Sequence, residues 1–264
     1  MDCREEGKNF QRLVDIYEKI RRECPWDKEQ TNKSIKNNLI EEAYELLEAI
    51  EKDDDKEMIE ELGDVLLQVV FHSQIKKDEG KFDINDVINH LIDKLIYRHP
   101  HVFGEKETKD VESVLKQWDK LKEKEKKRES ILDGIPKRMP ALQRAQKVQN
   151  KAAKVGFDWK DINQILNKVE EEIKELKEAK TKEEIKHEFG DILIALVNLG
   201  RHLSIDAEEA LHEATDRMVS RFQYIEKKAK EQGKKLEDMS LEEMDKYWEE
   251  AKSIELNNKL RENR

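Results

Sequence analysis

The 264 residues suffice for one large domain or two ordinary ones. A charged content of 42%, well above the roughly 25% of an average soluble domain, with only nine Gly and four Pro, suits long amphipathic helices. The net charge of −10 argues against a general nucleic-acid-binding surface, which needs positive faces to release counterions from phosphate. Two cysteines, Cys3 and Cys24, lack CxxC spacing, so a disulfide framework is not expected and a reducing cytoplasm is the natural setting. No apolar run approaches the roughly 18 residues of a membrane span, and no signal-peptide-like segment is present.

In chain order, "FQRLVDIYEKI" (10–20), "NLIEEAYELLEAI" (38–50), "EELGDVLLQVVFH" (60–72), "INDVINHLIDKLIY" (84–97) and "VESVLKQWDKLKEKEKK" (111–127) carry helical periodicity. Strand-like alternation is essentially absent, so an all-α class is predicted. Residues 122–128 are almost wholly charged, and "LDGIPKRMP" (132–140) follows with Gly134, Pro136 and Pro140. That shift in composition predicts an N-terminal helical module over 1–130, a linker over 131–140 and a C-terminal module over 141–264.

The modules are one pattern written twice. "EEAYELLEA" (41–49) aligns without gaps to "EEIKELKEA" (171–179), and "EELGDVLLQVV" (60–70) to "HEFGDILIALV" (187–197). "PWDKE" (25–29) has its partner in "FDWKD" (157–161), and residues 83–98 run parallel to 206–221. The second copy is three residues shorter between its two segments, a deletion assigned to the inter-helix loop, where it is cheap.

On a helical wheel centred on Glu42, residues Leu39, Ala43, Leu46, Ala49 and Ile50 share a sector that has Glu42 inside its border and Glu45 just beyond. Glu172 and Glu175 take the matching places. The following segment is apolar nearly all round in each copy and should be buried. Its one polar stripe holds Glu61, Asp64, Gln68 and His72 in the first copy, and Glu188, Asp191, Asn198 and His202 in the second. If each helix pair packs antiparallel, four carboxylates converge, an arrangement that costs on the order of several kcal/mol per buried ion unless a cation joins it. All-oxygen ligation selects Mg²⁺, with Mn²⁺ as a possible substitute. A di-iron bundle would need Glu-x-x-His, and neither second helix has His at that offset from its motif glutamate, Glu61 or Glu188. A single Glu-x-x-Glu in so charged a chain would be solvated surface; its coupling to Glu-x-x-Asp, twice in register, is what makes it a metal motif.

The motif Glu-Glu-x-x-Glu, spacer, Glu-x-x-Asp resembles the MazG family of nucleoside triphosphate pyrophosphohydrolases. The phrases "CPWDKEQT" (24–31), "YRHPHVFG" (97–104), "RAQKVQNKAAKVGFDW" (144–159) and "YWEEAK" (247–252) resemble its two-domain form. The resemblance implies hydrolysis of an NTP or dNTP to the monophosphate and pyrophosphate, Mg²⁺ held by Glu42, Glu45, Glu61 and Asp64 and by Glu172, Glu175, Glu188 and Asp191, and bundles completed in a homodimer. Glu41 and Glu171, turned away from the ligand face, are the candidate catalytic bases. Lys94 with Arg98, and Arg217 with Arg221, are i, i+4 pairs suited to triphosphate.

Asn198, on the carboxylate stripe, is a candidate polar contact to substrate. Trp248 is a candidate to stack on a base, against the commoner role of a lone Trp in core packing. Trp26, Trp159, His99 and His101 read as structural. The partners expected are nucleoside triphosphates and a second copy of the chain, with no nucleic-acid polymer and no membrane. Two rivals remain: a narrow dUTP-type pyrophosphatase, and a non-catalytic helical scaffold with residual carboxylates.

Overall fold

The computed structural model describes residues 3–104, 110–125 and 129–262. It divides into two compact units, Met1–Lys127 and Arg128–Arg264. Every regular element among the described residues is helical, as the periodicity predicts. The first unit contains α1 (Cys3–Glu23), α2 (Pro25–Glu29), α3 (Asn38–Glu51), α4 (Asp55–Asp78), α5 (Ile84–Arg98), α6 (Pro100–Phe103) and α7 (Val111–Glu125). The second contains α8 (Ala141–Ala153), α9 (Ile162–Glu178), α10 (Lys182–His202), α11 (Ala207–Glu231), a 3₁₀ turn at Leu236–Asp238 and α12 (Leu241–Glu262).

Each unit is built on a helical hairpin, α3 against α4 and α9 against α10. In the first, Asp53 turns the chain with a left-handed φ of 53°, and the Asp54 carboxylate accepts from the backbone N–H of Lys56 (2.9 Å) and Glu57 (3.2 Å) to start α4. In the second, Thr181 and Glu184 form a reciprocal capping box at the start of α10. Both connections are three residues long, 52–54 and 179–181. The deletion in the second copy therefore falls in the last turn of α9, not in the loop as the sequence suggests. A helix that ends one turn early keeps the motif's register on both arms.

In the first unit α1 packs on α4, and Tyr17, Ile35, Val70, Phe71 and Ile75 form the buried cluster, with the Tyr17 and Phe71 rings 4.9 Å apart. In the second, α11 packs on α12 around Ile225, Ala229 and Met239, while Ile165 and Val197 are fully buried in the hairpin. Burying such side chains contributes roughly 1.5–3 kcal/mol each.

The apolar hairpin arms, expected to be buried, are only half so. Leu39, Leu47, Leu62, Leu66 and Val69 are exposed in the first unit, as are Ile173, Phe189, Leu193, Ile194 and Leu196 in the second. A two-helix hairpin backed on one side cannot cover helices that are apolar all round. No helix among the described residues is long and apolar enough to cross a membrane.

Candidate metal and nucleotide site

In the first hairpin Glu42 and Glu45 sit one turn apart on α3, and Glu61 faces them from α4. One carboxylate oxygen from each lies within 4.8 Å of the others. Asp64, a turn beyond Glu61, lies outside that triplet but near enough to act electrostatically on both Glu42 and Glu61. Burial and then the charges of Asp64 and Glu45 raise the Glu42 carboxyl above its ordinary pKa; burial, Glu45 and Asp64 do the same to Glu61. Gln68, only 4% exposed, donates from Nε2 to Glu42 Oε1 at 3.2 Å and fixes it from across the hairpin. The Glu61 Oε2 atom is buried without any hydrogen-bond partner, as is Gln68 Oε1. Among the described residues no lysine or arginine pairs with Glu42, Glu45, Glu61 or Asp64. Glu41 is exposed on the outer side of α3.

The second hairpin repeats the triplet with Glu172, Glu175 and Glu188, again within 4.8 Å. Its charge balance differs. Lys168, one turn before Glu172, places Nζ 2.8 Å from Glu172 Oε1 and 2.9 Å from Glu171 Oε1. Glu172 is 6% exposed whereas the Lys168 side chain is 35% exposed, so the carboxylate end of the pair is withdrawn from water and the ammonium end is not. Asp191 is drawn outward to His187, whose Nδ1 lies 3.0 Å from Asp191 Oδ2 and 3.5 Å from Glu188 Oε1. Burial and then Glu172 and Glu188 raise the pKa of Glu175. At the position matching Gln68 stands Ala195, so no amide braces Glu172 from the opposite arm.

The cationic candidates lie on the next helix of each unit. Lys94 and Arg98 are half-buried on α5, and the Arg98 guanidinium stacks 5.4 Å from the Trp118 ring of α7. Arg221 on α11 stacks 5.2 Å from the Trp248 ring of α12, and it is clamped by Glu255, its Nη2 donating to Oε2 at 2.8 Å. Arg217 makes an i, i+4 pair with Glu213 at 3.4 Å. Trp248 also packs against the Ile225–Ala229–Met239 cluster, a core role that accounts for its burial. Asn198 is not directed at the carboxylates: its Oδ1 accepts from Arg201 Nη2 at 2.7 Å, and Arg201 in turn binds Asp158.

The profile of the MazG nucleotide pyrophosphohydrolase domain matches residues 30–103, and that of phosphoribosyl-ATP pyrophosphohydrolase matches residues 140–218. The nucleoside triphosphate pyrophosphohydrolase/pyrophosphatase MazG of Thermotoga maritima is 49% identical over 253 residues, covering 94% of this chain and 98% of that protein. The chain belongs to the MazG family. The nucleoside triphosphate pyrophosphohydrolase of Escherichia coli K12 is 41% identical over 256 residues, 93% of this chain and 97% of that protein. Protein YabN of Bacillus subtilis is 54% identical over 238 residues, which is 88% of this chain and 49% of YabN.

The donor set fits the divalent metal that a MazG hairpin implies. Three carboxylates converge in each unit, and in the first a buried oxygen of Glu61 lacks any partner, as expected of an atom whose partner is a cation. Two residues that bear on these sites escape the motif search. Lys168 lies one turn upstream of the second Glu-Glu-x-x-Glu and looks like any lysine on an amphipathic helix. Trp118 stands in a lysine-rich run; the signal for it is the match of "QWDKLK" (117–122) to "YWEEAK" (247–252).

Proposed function

We propose that the chain is a Mg²⁺-dependent nucleoside triphosphate pyrophosphohydrolase, releasing pyrophosphate and a nucleoside monophosphate. The observation that carries this reading is the Glu42–Glu45–Glu61 cradle, with its partnerless buried oxygen, on a hairpin that the chain repeats. The first metal would be held by Glu42, Glu45, Glu61 and Asp64, the second by Glu172, Glu175, Glu188 and Asp191. When bound, Mg²⁺ supplies neutralisation of triphosphate charge and acidification of water.

The chain's own groups do the rest. Glu41 and Glu171, each exposed and next in sequence to a ligand glutamate, are assigned as the bases that accept the proton from the water that opens the α–β phosphoanhydride bond. The water oxygen stays on the monophosphate and pyrophosphate leaves. Lys94 and Arg98, or Arg217 and Arg221, bind the phosphates; Arg221 must exchange Glu255 for them. The Trp118 and Trp248 rings, stacked against the Arg98 and Arg221 guanidinium groups, help fix the direction of those side chains. The exposed apolar arms of both hairpins support a homodimer in which a second copy covers them. A reducing cytoplasm suits the free Cys24.

The test is pyrophosphate release from a panel of NTPs and dNTPs, with and without Mg²⁺. It compares wild type, Glu42→Gln/Glu45→Gln and Glu172→Gln/Glu175→Gln. Metal-dependent release across several nucleotides supports the reading; release from dUTP alone replaces it with the narrower enzyme; no release in wild type overturns it. Sedimentation velocity checks the dimer, which a monomeric chain would refute.

A further inference from the structure

We propose that Lys168 is a tethered counter-ion of the second carboxylate site, so that the two sites of one chain take metal differently. The first would load a divalent cation on its own. The second would load it only weakly until an anionic ligand draws the Lys168 ammonium away. The inference rests on the metal-binding role given above to both triplets.

Three observations carry it. The first triplet has no internal cation, a neutral amide from Gln68 as its brace, and one buried oxygen without a partner. The second triplet has its most buried member, Glu172, in contact with an ammonium at 2.8 Å, and the same nitrogen reaches Glu171. Finally, the residue aligned with Lys168 is Asn38, which has the same place one turn before Glu42 but carries no charge. An ion entering the first site meets uncompensated negative charge and relieves it. An ion entering the second must displace, or sit beside, a cation already bonded to one of the ligand's two oxygens. A triphosphate offers Lys168 another anion, and so adds at the second site a coupling between nucleotide and metal binding beyond the one that metal–phosphate attraction gives at both sites. Lys168 acts here by positioning charge; no bond to the reacting phosphorus is assigned to it.

Titration of the full chain with Mn²⁺, followed by electron paramagnetic resonance, reads the two sites directly. Two affinity classes are expected in wild type, the tight one removed by Glu42→Gln/Glu45→Gln and the weak one by Glu172→Gln/Glu175→Gln. Lys168→Met should tighten the weak class by about tenfold, the scale of one charge-assisted hydrogen bond, and leave the tight class alone. Lys168→Arg should keep the weak class as it is. The converse variant, Asn38→Lys, should weaken the tight class by a similar factor, and it remains informative if Lys168→Met fails to fold. The non-hydrolysable α,β-methylene-ATP should tighten the weak class more in wild type than in Lys168→Met. A single affinity class in wild type, or indifference of the weak class to Lys168→Met, or of the tight class to Asn38→Lys, would overturn the inference while leaving the metal reading intact. Absence of Mn²⁺ binding in every variant would overturn both.

Discussion

The two hairpins carry the same carboxylates and solve their mutual repulsion in opposite ways. In the first, Glu42, Glu45 and Glu61 crowd together with no basic partner among the described residues, the pKa values of Glu42 and Glu61 rise, and one buried oxygen is left without a bond. In the second, Lys168 neutralises Glu172 and His187 draws on Asp191 and Glu188. Conservation of a motif by duplication thus does not conserve its charge balance. The residues that set the balance lie one turn outside the motif, where the copies diverge to Asn38 and Lys168 and where the opposite arm diverges to Gln68 and Ala195.

The comparison is put under most strain by Glu61→Gln and Glu188→Gln, each of which deletes one charge from one triplet. Each should lower the metal-dependent pyrophosphate release of its own unit on the order of a hundredfold or more, since loss of even an outer-shell group near a metal costs tenfold or more. The two should differ without metal. Glu61→Gln relieves an uncompensated repulsion and should raise the melting temperature of the metal-free chain. Glu188→Gln removes a charge from a triplet that Lys168 already balances, and should raise it less. Equal gains by calorimetry in EDTA would show that Lys168 does not balance the second site.

A smaller effect is expected of Gln68→Leu, which keeps volume but deletes the donor that holds Glu42. Metal affinity at the first site should fall by roughly tenfold, within the range found when ligand-orienting groups are removed. The reciprocal Ala195→Gln should bring the second site some of that bracing. Mn²⁺ binding measured on both variants decides whether the amide orients a ligand or merely fills space.

Much of this was legible before the structure. The helical class followed from periodicity, and the triplets from a Glu-x-x-Glu and Glu-x-x-Asp pattern that the chain repeats in register. Asp64 and Asp191 were placed with the ligands from helical spacing, but spacing does not determine how closely two arms approach. The structure sets Asp64 outside the first triplet and gathers Asp191 with Glu188 and His187, all within 4.8 Å, beside the second. Burial of the apolar arms was overestimated because a wheel reports which faces are apolar without reporting what covers them. Asn198 shares the carboxylate stripe on a wheel, yet its side chain is held by Arg201; a side chain's partner three residues along the helix outweighs its position on a face.

Acid should relieve the crowding of the first triplet. Glu42 and Glu61 bind protons more readily in the fold than in the unfolded chain, so protonation favours the fold. The stability they withhold near neutral pH is recovered as pH falls through their raised pKa values. In EDTA, the melting-temperature gap between Glu61→Gln and wild type should be widest near neutral pH and close under acid conditions. A gap independent of pH would mean that the carboxylate charge is not what the substitution relieves.

The smallest expected effect concerns the loops that brace each hairpin. In the first unit Asp27 accepts from the Tyr17 hydroxyl at 3.0 Å and is tied to α1, whereas in the second Asp158 is tied to α10 through Arg201 and His202, its pKa held down to about 2 chiefly by the Arg201 hydrogen bonds. A depressed carboxyl stabilises the fold above its unfolded pKa and loses that contribution as pH falls toward about 2, so Asp158→Asn should destabilise the second unit near neutral pH and much less in acid. With Asp158 26% exposed, the loss should be about 1 kcal/mol or less. The same variant separates two roles for Asn198, whose only described partner, Arg201, is also the partner of Asp158. If melting shifts while pyrophosphate release by the Glu42→Gln/Glu45→Gln chain does not, Asn198 belongs to the brace. If release falls with it, freeing Arg201 has disturbed the carboxylate stripe, and the loop of the second unit takes part in shaping its site.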